Sequence, residues 1–184
     1  MAPAPFLVVL DANVLFPFTL RDTLLRAAAA GCFQLRWSKE ILDETERNLV
    51  ATGIVPADRA ARLRSTMEDF FPEAMVVGHE LLAHAMANDP KDRHVVAVAV
   101  KAGAQVIVTS NLRDFVPLPE GIEAQSPDEF LCHLLDLEPD RFVQLLQEQA
   151  SDLQKPPVTL DELLKRLHRI APNCVAAVRR HAKT

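Results

Sequence analysis

Phe6-Leu7-Val8-Val9-Leu10 is a run of five apolar residues stopped by Asp11. A strand that is apolar at every position has both faces covered, which is the habit of parallel sheets packed between helices. The first 125 residues repeat this theme. Strand candidates at 33–37, 74–77, 105–108 and 122–124 alternate with helical patterns at 19–30, 38–51, 57–70 and 92–102. Ser38 is placed to cap the second of these helices, with Ile41, Thr45 and Leu49 along one face. In the third, Ala60, Leu63, Met67 and Phe70 have inward spacing. Gly31 and Gly103 supply left-handed closing residues. The helix 92–102 is dominated by Val and Ala, a poor composition for an isolated helix because branched side chains lose rotamer freedom, and a good one for tight packing on a sheet. The expected fold class is α/β: a three-layer α/β/α sandwich around a central parallel sheet.

The pattern changes after residue 125. Ser126-Pro127-Asp128-Glu129 and Thr159-Leu160-Asp161-Glu162 have the spacing of capping boxes. Only helices follow, at 127–137, 140–153, 160–170 and 173–182, with Leu160, Leu163, Leu164, Leu167 and Ile170 as an apolar stripe and Pro156-Pro157 as a stiff joint. The chain therefore divides into a domain at 1–125 and a helical C-terminal extension at 126–184.

Several classes are excluded. No apolar run approaches the ~18 residues of a membrane span, and no basic residue precedes the short N-terminal run, so neither a membrane anchor nor a leader is expected. Cys32, Cys132 and Cys174 lack C-x-x-C spacing, which argues against a disulfide framework or a zinc ribbon and for a reducing, cytoplasmic setting. The net charge of −5 gives no bulk attraction to nucleic acid. Its distribution is uneven: residues 159–184 hold six basic side chains (Lys165, Arg166, Arg169, Arg179, Arg180, Lys183) against Asp161 and Glu162. That tail is read either as a solvated helix face or as a contact for RNA or an acidic partner.

Ligands of open parallel sheets bind outside the carboxyl ends of the strands. Asp11 ends the first strand, and Thr109-Ser110-Asn111-Leu112-Arg113-Asp114 follows the fourth, packing hydroxyls, an amide and a carboxylate at that edge. Glu44 in the second helix and Asp92 at the start of a later one complete a set of four acids far apart in sequence. Carboxylates brought together repel unless a hard cation joins them, and magnesium and manganese take oxygen ligands. Asn13 is placed to orient Asp11 by hydrogen bonding. Glu40, four residues before Glu44, lies on the same face and is the alternative to it, while Asp43 and Glu46 are expected on the solvent side. Asp89 is assigned to the turn before Asp92.

In order, Leu7-Val8-Val9-Leu10-Asp11-Ala12-Asn13-Val14-Leu15, Ser38-Lys39-Glu40-Ile41-Leu42-Asp43-Glu44-Thr45-Glu46-Arg47-Asn48-Leu49, Asp89-Pro90-Lys91-Asp92-Arg93-His94-Val95-Val96-Ala97-Val98-Ala99 and Thr109-Ser110-Asn111-Leu112-Arg113-Asp114-Phe115 resemble the motifs of the PIN-domain nucleases. The resemblance is closest to the VapC-like toxins of type II toxin–antitoxin systems, and 126–184 resembles a helical extension on one branch of them. It implies catalytic and metal-binding roles for Asp11, Glu44, Asp92 and Asp114, support from Asn13, Thr109, Ser110 and Asn111, and one or two Mg2+ or Mn2+ ions. It further implies an endoribonuclease that leaves 5′-phosphate and 3′-hydroxyl ends, an antitoxin partner lying over the cleft, and a homodimer.

The remaining candidates are weighed beside these. His79, His84 and His94 lack the i, i+4 spacing of a metal-binding helix and are read as surface or core residues, with His94 as a substrate or partner contact. Arg93 and Arg113 either pair with carboxylates or hold a phosphate oxygen. Trp37 and the nine Phe residues are read as core, not as base-stacking platforms. One rival reading is an aspartyl-phosphate enzyme, but Asp11-Ala12-Asn13 lacks the second carboxylate of D-x-D. Another is a non-catalytic module of the same fold that binds protein or RNA, against which the retention of all four acids counts.

Overall fold

Val8, Val9 and Leu10 are fully buried, and so are Ile107 and Val108. Their strands are the centre of the molecule. The computed structural model describes residues 6–181, so Lys183 of the basic tail and residue 182 of the last expected helix lie outside the described residues. Among the described residues four strands, β1 (Leu7–Leu10), β2 (Gln34–Arg36), β3 (Val106–Val108) and β4 (Glu123–Gln125), form one all-parallel sheet in the order β2-β1-β3-β4. The helices are α1 (Ala12–Leu15), α2 (Phe18–Ala29), α3 (Lys39–Ala51), α4 (Ala57–Phe70), α5 (Glu80–Ala83) and α6 (Arg93–Ala102), followed by α7 (Pro127–Leu137), α8 (Pro139–Asp152), α9 (Leu160–His168) and α10 (Pro172–His181). This is a three-layer α/β/α sandwich with a helical C-terminal part. Among the described residues no helix is long and apolar enough to cross a membrane.

The strand order fixes where a site can be. From β1 the chain crosses to β2 on one side, and β3 then pairs with β1 on the other. The order reverses between β1 and β3, and the crevice at their carboxyl ends is the switch point where such sheets bind ligands. Asp11 and Thr109 are the residues immediately after those two strands, and the Asp11 N–H donates to the Val108 carbonyl at 3.1 Å.

The fully buried Val95–Ala99 run of α6 rests on β1, β2 and β3, as its branched composition requires. Ser38 caps α3 by accepting from the Ile41 N–H, and Gly103 closes α6 at φ 67°, a left-handed conformation that a side chain would strain. Both expected capping boxes form, at Ser126/Glu129 and Thr159/Glu162.

Two expectations fail. Residues 74–77 are not a strand: residues 72–74 make a 3-10 turn, and only Met75 bridges to Trp37 beyond the end of β2. Val77 is 72% exposed, and Gly78, with positive φ, turns the chain away before a ladder can grow. Phe70 is the other. The helical period points it inward, yet it is 69% exposed, because the next residue, Phe71, takes the contact edge-on to Trp37 at 5.9 Å and Phe70 leans on Phe71.

The C-terminal helices share one apolar cluster with the sheet. Phe130 of α7 meets Phe33 edge-on at 5.1 Å and Phe6 at 6.2 Å. Gln149 of α8, fully buried, accepts from the Thr23 hydroxyl of α2 at 2.8 Å. Asp128 at the start of α7 accepts from the Asn173 and Cys174 N–H groups and so caps α10. Leu163, Leu164 and Leu167 of α9 are buried, while Leu160 at the helix start is half-buried. Truncating one of the inward leucines leaves a cavity between packed helices. Leu164→Ala is therefore expected to cost about 2–5 kcal/mol in chemical denaturation, and an unchanged midpoint would show that α9 adds nothing to the core.

Candidate active site

Asp11 is 3% exposed. Burying a carboxylate requires hydrogen-bond donors aimed at it, and α1 and β3 supply them. Oδ1 accepts from the Ala12 N–H at 2.7 Å, which makes Asp11 the cap of α1. Oδ2 accepts from Asn13 Nδ2 at 2.9 Å and from the Thr109 hydroxyl at 2.8 Å. Asn13 Nδ2 also reaches Thr109 Oγ1 at 3.0 Å, and Asn13 Oδ1 accepts from the Ser110 N–H at 3.0 Å. Thr109 Oγ1 accepts in addition from the Asn111 N–H at 3.1 Å. The two strand ends are thus stitched together around one carboxylate. Ser110 acts through its backbone.

A cleft of about 590 Å³ opens over this lattice, walled by Asp11, Asn13 and Asn111, by Glu40, Asp43, Glu44 and Arg47 of α3, and by Lys91, Asp92 and His94 around the start of α6. Asp92 stands at the N-cap position of α6 but spends no side-chain hydrogen bond on the helix. Asp89 makes the turn instead, accepting from the Lys91 N–H at 3.0 Å. Asp114 lies in a 3-10 turn after β3, where its carboxylate accepts from Asn111 Nδ2. Its carbonyl accepts from the Asp89 N–H at 3.1 Å and from Asn88 Nδ2 at 3.2 Å, which draws the turn carrying Asp92 against the turn carrying Asp114. A larger hollow of about 690 Å³ between α2, α4 and α8 is mainly apolar and holds none of these four acids.

Glu40 and Glu44 both face the cleft. Glu40 lies 3.2 Å from His79 Nε2 and 3.6 Å from His94 Nδ1, while His94 Nε2 is 3.9 Å from Glu44. His79 is buried and His94 partly so, on the core side of the expectation, and the two bracket α3's acidic face. Arg93 Nε donates to the Asn88 carbonyl at 3.1 Å, and Arg113 is exposed on the 3-10 turn. Asp43 and Glu46, expected on the solvent side, pair with Arg64 of α4, which also reaches Glu68 at 3.2 Å. The reason is that α4 packs along α3 and needs a countercharge there. Arg47 and Lys91 were not singled out from the sequence. Arg47 is one turn beyond Glu44 and Lys91 precedes Asp92, so adjacency to the acids was the available signal.

The electrostatics follow from the burial. Burial pushes the Asp11 carboxyl up to about 6, opposed by the Thr109 hydroxyl and assisted by the charges of Asp92 and Glu44. Asp92 is also pushed up to about 6, by burial first and then by the charge of Asp114, with Lys91 opposing. His94 is held below its ordinary value by burial, against the pull of Glu40 and Glu44. The oxygen donors in this cleft, carboxylates and amides, are the set that suits a hard divalent cation, and the acids oppose one another's ionisation. Among the described residues no three Asp, Glu, His or Cys side chains stand together as a ready-made coordination sphere.

The native pKa of Asp11 lies above that of an unfolded chain, so its contribution to stability is full at low pH and is lost as the pH rises from about 4 through about 6. The shift corresponds to about 3 kcal/mol. Without added metal, the stability of the wild type relative to Asp11→Asn is expected to fall across that window and level off above it. Urea titrations at several pH values measure this, and a pH-independent difference would contradict it.

The PIN-domain family model matches residues 7–113, and the model described as the VapC50 C-terminal domain matches residues 127–180. A protein of Mycobacterium tuberculosis named "Putative ribonuclease VapC50" is 38% identical over 110 residues, covering 58% of this chain. The match spans 65% of that relative's length. No solved structure matches the chain. With the family model covering β1, β2 and β3 and more than half of the chain, this chain belongs to the PIN-domain family.

Proposed function

We propose that the chain is a metal-dependent endoribonuclease acting as the toxin of a toxin–antitoxin pair. The observation that carries this reading is the cleft at the β1/β3 switch point, where Asp11, Glu44 and Asp92 share one wall system and Asp114 bears on Asp92. Family membership and the name of the M. tuberculosis relative support it. In this reading Asp11, Glu44, Asp92 and Asp114 hold one or two Mg2+ or Mn2+ ions, with Glu40 as the neighbouring alternative on α3. A bound cation of this kind polarises a phosphodiester and makes hydroxide available from water at neutral pH.

The chain's own residues do the rest. Asn13 and Thr109 hold the Asp11 carboxylate in one orientation and remove its freedom to turn. Arg47 of α3 and Lys91 before α6, which both line the cleft, draw the phosphates of an RNA strand into otherwise acidic surroundings. The extension at 126–184 is a second unit of the same chain, the protein acts in the cytoplasm as a homodimer, and an antitoxin covers the cleft.

Labelled RNA incubated with the purified protein tests the reading. Cutting is expected with magnesium or manganese and not in a chelator. Because losing an outer hydrogen-bond partner of a ligand costs about 10–100-fold in metal affinity or activity, Thr109→Val is expected to fall in that range and Asp11→Asn at least about 100-fold. At limiting metal, cutting should also fade as the pH falls through about 6, because protons compete with the cation for Asp11 and Asp92, and more metal should move that fall to lower pH. Chelator-resistant cutting, or a fully active Asp11→Asn, would refute the proposal. RNA bound but never cut would favour the non-catalytic module.

A further inference from the structure

Phe18, the first residue of α2, is 52% exposed. It is not loosely held. The buried guanidinium of Arg21 lies 5.7 Å from its ring centroid. Arg21 is itself fixed, its Nη1 donating to the Leu15 carbonyl at 2.8 Å and to the Phe16 carbonyl at 3.1 Å. The ring is therefore backed by a cation locked to the main chain, and the rest of it is open.

Two hollows meet at this ring, of about 360 and 470 Å³, and both Phe18 and Arg166 line each of them. Lys165 of α9 and Arg169 at its C-cap border the first, and Lys155 borders the second. The neighbouring acids are already engaged: Asp161 holds Lys165 at 2.6 Å and Arg179 at 3.0 Å, and Asp152 holds Arg26 at 2.8 Å. Among the described residues no carboxylate forms a close ion pair with Lys155, Arg166 or Arg169; Glu162 acts on Arg166 only at longer range. The result is an exposed aromatic ring among three cations with no close ion pair, on a chain whose net charge is −5.

We propose that Phe18 and the basic face of α9 form a single-stranded RNA platform beside the catalytic cleft, with a base stacked on Phe18 and phosphates on Arg166, Arg169 and Lys155. The proposal rests on the ribonuclease reading. An aromatic face bordered by cations is the arrangement that takes unpaired nucleotides of any sequence, since every base offers a π-face. Charge complementarity selects a polyanion over an apolar partner. The platform is also close to the acids: six residues lie between Asp11 and Phe18, four of them in α1, so at helical and extended rises the two are within about 20 Å. A strand of a few nucleotides spans both places.

The test uses a fluorescein-labelled, unstructured RNA of about 12 nucleotides, in the range that single-strand sites cover, with binding followed by anisotropy in a chelator. Phe18→Ala is expected to weaken binding about tenfold, the loss of one stacked base. Phe18→Trp should restore it and show quenched tryptophan fluorescence on binding. The Arg166→Gln, Arg169→Gln double variant should flatten the log–log salt dependence by about 1.4, at roughly 0.7 per phosphate contact on a single strand. Melting temperatures of all three should match the wild type, since these side chains lie outside the core. Unchanged affinity and salt slope in the variants would overturn the platform, and cutting of the same RNA with manganese would leave the nuclease reading standing. Binding that responds as expected without any cutting would keep the platform and sink the nuclease. No RNA binding by the wild type in the chelator would overturn the platform, and the manganese assay alone would then decide the nuclease reading.

Discussion

A carboxylate buried at the end of the central strand is the constraint from which the arrangement of the site follows. Asp11 cannot sit in the interior without donors, and no single element provides enough of them. One comes from the first turn of α1, one from Asn13 on that turn, and one from Thr109 at the end of the neighbouring strand. Satisfying this one group pins β1 and β3 in register where the strand order reverses. It also fixes the loop after β3, because Asn13 and Thr109 bind the backbone of Ser110 and Asn111. The position of Asp114 is set downstream of that. The raised pKa of Asp11 is the residue of a demand only partly met.

The helical extension obeys a different logic. Its apolar faces do not form a separate core; Phe130, Phe142, Leu163 and Val178 belong to the same cluster as Val9 and Ile107. Contact with the sheet domain is directional as well as apolar, through Thr23 to Gln149 and Arg26 to Asp152. The outcome is a sorting of α9 by face: Leu163, Leu164 and Leu167 turned inward, and Lys165, Arg166 and Arg169 left at the surface next to α2.

Much of this was legible in the sequence where one local signal sufficed. The unbroken apolar runs of β1 and β3, the capping residues Ser38, Ser126 and Thr159, and the glycine at 103 each encode their element within a few residues, and the helices end within one or two residues of expectation. What was not legible depends on competition between neighbours. Residues 74–77 read as a strand because they are apolar, but whether an apolar segment pairs is decided by the turn at Gly78 and by how far β2 extends. Periodicity favours Phe70 over Phe71, and the contact with Trp37 at the end of the helix reverses that choice. Asp43 and Glu46 look like solvated acids until α4 brings Arg64 across. Likewise, Glu40 and Glu44 cannot be ranked from spacing, because both face the cleft and the histidines that distinguish them come from distant segments. Phe18 read as core for want of any sequence signal that the α1–α2 corner would lift it to the surface.

The lone bridge between Trp37 and Met75 has a consequence for association. A sheet's last strand ordinarily offers a row of unpaired amide groups to any extended chain that drifts past. Here the Trp37 carbonyl is taken by the Val76 N–H, and the Trp37 N–H by the Ala74 carbonyl. One step back, the Arg36 guanidinium folds over to donate to the Leu35 carbonyl at 2.7 Å. The open margin of the sheet is thereby plugged by a 3-10 turn and an arginine, at the cost of a fifth strand. Edge-to-edge growth into larger aggregates is blocked on that side, and a molecule that joins this protein there must engage helices and side chains, not the backbone ladder.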